Sequence, residues 1–194
     1  LSGSNLNLVV IGGGSTEETE QLQAEKVAKA SNNTMIEEMT RIVTLLGCTD
    51  AVIEYHNAVE LLDAVCDKVF NHIPDGMDSE KLDDLKDDIK HNMHCLSHPF
   101  HLLQMQVEVG NSYHKMDDDT KKTFKEQAKY VHGLDDRFGE DEIIRCCVKR
   151  SCENAFQKDL KIELDKHGLT LPREIAPLLD SFSATLERVM DKLP

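Results

Sequence analysis

The chain has 194 residues, enough for one domain with a sizeable core, and it is 40% apolar, without Trp and sparse in Gly and Pro, a balance that favours helices over a sandwich or barrel. Its 36 acidic residues against 22 basic ones give a formal charge of −14, and a field of that sign repels phosphate backbones and anionic headgroups, which argues against nucleic-acid and membrane-surface roles. The longest apolar run near the start, Leu8 to Ile11, is too short to span a bilayer, so no membrane insertion is expected.

Residues 1–15 read as a flexible tail and residues 16–194 as a single helical domain. Gly12, Gly13 and Gly14 in the tail do not make a dinucleotide-binding turn, because Glu17 stands where the third glycine belongs and no strand–helix alternation follows. A helical pattern starts at Ser15 or Thr16, with an interruption expected near Asn32 and Asn33, and buries Met35, Met39, Ile42 and Leu46. Gly47 ends it. The second helix repeats apolar residues by threes and fours at Val52, Tyr55, Val59, Leu62, Cys66, Val69 and Ile73.

Pro74-Asp75-Gly76 is a turn, and Asp78 or Ser79 opens a third helix with apolar positions Leu82, Leu85, Ile89, Met93, Leu96, Phe100, Leu103 and Val107. That stripe runs through Pro99, so either one helix kinks there or two meet with similar orientation. A short helix covers about 120–132, and a long one covers about 140–167. The last begins near Pro172, with Ile175, Leu178, Leu179, Phe182, Leu186, Val189 and Leu193 on one side. Six or seven helices joined by short turns predict an all-α bundle with the 140–167 helix at its centre.

Six cysteines, Cys48, Cys66, Cys95, Cys146, Cys147 and Cys152, and one glycosylation acceptor at Asn32 point to a secreted, extracellular, disulfide-linked glycoprotein. On a continuous helix, residues five and six apart have Cα atoms roughly 8.6 and 9.8 Å apart, beyond the ~7 Å limit of a disulfide. A bridge between Cys146 and Cys147 would distort the backbone. The three are therefore expected to reach outward to Cys48, Cys66 and Cys95, which leaves six connectivities.

His91, His94, His98 and His101 are spaced three, four and three. On one helix they fall within roughly 80° of arc, nearly opposite the apolar stripe, and are expected to face water. Such pairs can chelate Zn²⁺ or Cu²⁺, or contact haem, and below about pH 6 they would collect positive charge. The acidic groups Asp83, Asp84, Asp87, Asp88 and Asp117 to Asp119 lack calcium-loop spacing. No nucleophile elbow, phosphate loop or zinc-protease motif is present, so no catalytic residue and no obligatory cofactor is assigned.

The leading expectation is a non-enzymatic binding protein. It either encloses a small, lipid-like hydrophobic ligand between helices, lined by Met35, Met39, Leu62, Phe100, Leu103, Phe156 and Phe182, or presents an acidic surface to a protein partner. The alternative is a metal or haem carrier built on the four histidines.

Overall fold

The computed structural model describes residues 16–71, 77–133, 139–169 and 173–194. Those residues form seven α-helices and one 3₁₀ turn: α1 Thr16–Leu45, α2 Thr49–Phe70, α3 Ser79–Ser97, α4 Pro99–His114, α5 Asp118–His132, α6 Glu140–Lys166, the turn Arg173–Ile175, and α7 Ala176–Met190. The expected tail and Ile73 lie outside the described residues. Contacts divide the chain at 38/39, into units of residues 1–38 and 39–194.

Within the first unit the described residues are helical from Thr16 onward. α1 runs unbroken past Asn32 and Asn33, so the interruption expected there does not occur, and the Asn32 acceptor lies half-buried inside a helix.

The second unit is a helical bundle. α6 packs against α3, α4, α5 and α7, while α7 packs against α2, α3, α4 and α6. The inward residues of α6, Ile143, Ile144, Val148, Cys152, Phe156, Leu160 and Leu164, recur at helical spacing. The main core joins all of these except Ile143, which packs with Ala128 of α5, to Leu62, Cys66 and Phe70 of α2, Leu85, Ile89 and Met93 of α3, and Leu178, Phe182 and Leu186 of α7. The Phe156 and Phe182 rings stack with centroids 4.4 Å apart. Each such side chain contributes roughly 1.5–3 kcal/mol by leaving water. The α2 stripe read from sequence is buried from Val52 to Val69.

At the α1–α2 corner Gly47 has φ 86°, a left-handed conformation costly for any residue with a Cβ. It turns the chain so that Cys48 N–H donates to the Val43 carbonyl at 2.9 Å. Val43, Cys48, Ala51 and Val52 form a second small core with Phe100, Leu103 and Leu193 packed on it. α1 buries Val43, whereas Leu46 is 64% and Met35 44% exposed. The expected α1 stripe is therefore rotated.

Pro99 separates two helices. A residue before proline is pushed out of the α region, and His98 is extended at φ −64°, ψ 136° while Pro99 takes the first position of α4, where its missing N–H costs nothing. The break resets the helical phase. α4 buries Leu102, Gly110 and Tyr113, Phe100 and Leu103 are half-buried, and Val107 is exposed. The apolar stripe does not continue through Pro99 as its spacing suggested.

Candidate functional site

The four histidines do not form one exposed row, which corrects the expectation. His91 and His94 sit on α3, His98 fills the joint and His101 lies on α4. His98 is fully buried and the other three are half-buried. At the joint the Phe100 N–H donates to His98 Nδ1 at 3.0 Å. That leaves the proton of the neutral ring on Nε2, which donates to Thr40 Oγ1 at 3.0 Å. The ring packs edge-on to Tyr55, centroids 4.8 Å apart. Burial, with His56 and His101 adding to it, pushes the His98 pKa down to about 4. His98 is thus a neutral helix cap and tether, already using both nitrogens.

His94 Nε2 lies 2.8 Å from Asp63 Oδ1 on α2, a pair that can act as an oriented imidazole and proton acceptor. One turn along the same seam, Lys90 pairs with Asp67 at 2.9 Å and Lys86 reaches the same carboxylate at 3.7 Å. Cys66 lies in the core beside these groups, and burial raises its thiol to about 12. His91 instead faces Cys95: Sγ is 3.5 Å from Nε2 and 3.9 Å from Nδ1. Burial pushes the His91 pKa down, helped by His94 and opposed by Asp88, and burial raises the Cys95 thiol. Among the described residues no three His, Cys, Asp or Glu side chains converge as a metal site. The four histidines therefore do not converge on one point among the described residues.

All six cysteines are free thiols in this structure, so the expected bridges from α6 to Cys48, Cys66 and Cys95 are not shown by it. The three α6 cysteines do point in different directions, as helix geometry requires, but toward other targets. Cys146 lines a cleft of about 350 Å³ with Arg145, Lys149, Met190 and Asp191, between α6 and α7. Cys147 packs on Ala128, Ile143 and Phe124, toward α5. Cys152 Sγ lies 3.5 Å from Met105 Sδ on α4, and burial raises its thiol to about 12. Counting and spacing restrict which pairs are possible but carry no information on which neighbour each direction meets.

The seven expected ligand residues are dispersed. Leu62, Phe156 and Phe182 belong to the main core, Phe100 and Leu103 pack on the small core, Met39 is half-buried and Met35 is exposed. Phe156 and Phe182 share a cleft of about 140 Å³ with Glu153 and Asp180 in its wall. A larger cleft of about 490 Å³ between α4 and α6 carries His114, Asp141 and Arg145. The cleft at Cys146 is crossed by the Arg145–Asp191 pair at 2.6 Å and by Lys149 paired with Glu187. Their charged walls suit polar occupants better than a lipid chain.

One surface feature was not anticipated from the sequence. Large apolar side chains stand in water at the α1–α2 corner and along α2: Leu45 (74% exposed), Leu46, Ile53 and Leu61. Ile53 and Leu61 are eight residues apart, on the outward face that also carries Asn57, Ala64 and Lys68. Exposed Asp50 and Glu60 and half-buried Glu54 accompany them. The signal for this edge was present in the α2 pattern, because Ile53 and Leu61 fall outside the buried stripe.

No protein-family model matches the chain, and no match was found among curated proteins or solved structures.

Proposed function

We propose that this is a non-enzymatic helical binding protein that engages a protein partner through the apolar edge of α1 and α2. The observation that carries the reading is the concentration of exposed Leu45, Leu46, Ile53 and Leu61 within seventeen residues of chain. Single exposed apolar residues are ordinary, but neighbouring ones rimmed by polar groups are the usual composition of an interaction site. Exposed Asp50 and Glu60 set the chemistry of the partner, an apolar helical face flanked by Lys or Arg, and opposite charges at such a rim speed association more than they tighten it.

The enclosed-lipid reading has less support, because its candidate residues are spent on packing the bundle. Described helices offer no segment long and apolar enough to cross a membrane, and the proposed interaction requires none.

The test is site-specific photocrosslinking in the native source, with the reactive group placed at Ile53 and, as a control, at exposed Glu126 on α5. A discrete adduct from position 53, absent from position 126 and lost in Leu45→Glu/Leu46→Glu, is expected. Equal adducts at both positions, or none at 53, would overturn the reading. Native mass spectrometry of the same material decides the lipid alternative, since a bound lipid adds its mass to the chain.

A further inference from the structure

We infer that His91 and Cys95 form a two-donor site on α3 for a thiophilic d¹⁰ cation, Zn²⁺, Cd²⁺ or Cu⁺. The two residues are four apart on a continuous helix, on the same face. The observation is the separation of their donor atoms, 3.5 Å between His91 Nε2 and Cys95 Sγ. Zinc binds imidazole nitrogen at about 2.0–2.1 Å and thiolate sulfur at about 2.3 Å, and a tetrahedral angle between those bonds puts the donors about 3.5 Å apart. The donor separation thus matches the bite of the metal, and because the sulfur also lies 3.9 Å from Nδ1, the imidazole ring has to turn to aim its Nε2 lone pair.

The pair is also the one left available by the rest of the seam. His94 is held by Asp63, and His98 spends both nitrogens on Phe100 and Thr40. His91 and Cys95 are each half-buried, so an ion can reach them. With no third protein donor converging among the described residues, water fills the remaining positions, and the site is an open, exchangeable one. Thiolate sulfur selects soft and borderline ions over Mg²⁺ or Ca²⁺. On binding, the Cys95 S–H bond breaks, the metal–sulfur bond forms with the same electron pair, and one proton passes to solvent. No oxidant or reductant takes part.

The experiment titrates the reduced, metal-free, full-length chain with Zn²⁺ against a chromophoric chelator, and separately with Cd²⁺ while following the ultraviolet thiolate-to-metal absorption. The adjacent thiols Cys146 and Cys147 make a background of their own, so the site is read as a difference between variants. Cys95→Ser and His91→Gln are each expected to lose one equivalent of Zn²⁺ relative to wild type, while His101→Gln and Cys147→Ser keep it. Cys95→His is expected to restore the zinc equivalent, because two imidazoles four apart also chelate, but not the cadmium absorption. Thermal unfolding of each variant shows that it is folded, and if Cys95→Ser is not, His91→Gln and Cys95→His carry the test. Zinc binding unchanged in both Cys95→Ser and His91→Gln overturns the site. So does a loss in Cys95→Ser that His91→Gln does not share, which would mean a single thiol acting alone.

Discussion

His98 joins three parts of the bundle through one neutral ring, and its protonation state decides whether they stay joined. Its Nδ1 accepts from Phe100 N–H and caps α4, its Nε2–H donates to Thr40 on α1, and its face meets Tyr55 on α2. Protonation would put a hydrogen on Nδ1, where the Phe100 N–H already points, so the folded state resists it. A base with a depressed folded pKa leaves the unfolded chain binding more protons, and stability then falls as pH drops. The window runs from the ordinary 6.5 down to about 4, a span that corresponds to a loss on the order of 3 kcal/mol. His91 and His101, lowered by burial, act in the same direction. Urea midpoints measured from pH 7.5 to 4 should fall steadily in wild type and more shallowly in His98→Asn, whose side chain keeps a cap acceptor without titrating. Parallel pH profiles would rule this account out. Thr40→Val removes the acceptor of the Nε2 proton and should cost about 1–3 kcal/mol at neutral pH, the penalty of a stranded buried donor.

Between elements, the informative contrast is α3 against α4. If Pro99 resets the phase, Leu102 and not Val107 faces the core, since Leu102 is fully buried and Val107 is exposed. Leu102→Ala should then cost about 2–5 kcal/mol, and Val107→Ala should stay within about 0.5 kcal/mol. Equal costs would mean that the two sides have been assigned wrongly. The same contrast marks what the sequence made legible. Helix number and the stripes of α2 and α7 follow from spacing alone, because burial selects apolar residues every third or fourth position. The α4 face did not, because a proline that breaks a helix leaves the two apolar patterns adjacent in sequence but rotated in space. The histidine stripe failed for the same reason, since its arc presupposed one helix across Pro99. The His91–Cys95 pair, four apart on the unbroken part, was legible in principle. Assigning Cys95 to a bridge hides it.

For the molecule as a whole, the cysteines connect structure to compartment. Helix geometry forbids bridges within α6, and the fold then turns Cys146 toward α7 and Cys147 toward α5, two helices whose described residues hold no cysteine. Outward bridges from Cys146 and Cys147 would require both side chains to leave the α7 and α5 sides of α6, against the roughly 2–4 kcal/mol that one disulfide typically contributes. The bundle has a core large enough to stand without such links, as expected for a chain of this size. Protein purified without reductant, unfolded in guanidinium and titrated with a thiol reagent should therefore yield six reactive thiols, and its intact mass should equal that of the fully reduced chain. Each bridge present would remove two thiols and two mass units. Three bridges joining α6 to α1, α2 and α3 would restore the extracellular reading taken from the cysteine count and would require α6 to sit with a different face inward. Six free thiols would instead fit a reducing compartment, the setting in which Cys95 remains available to a metal ion.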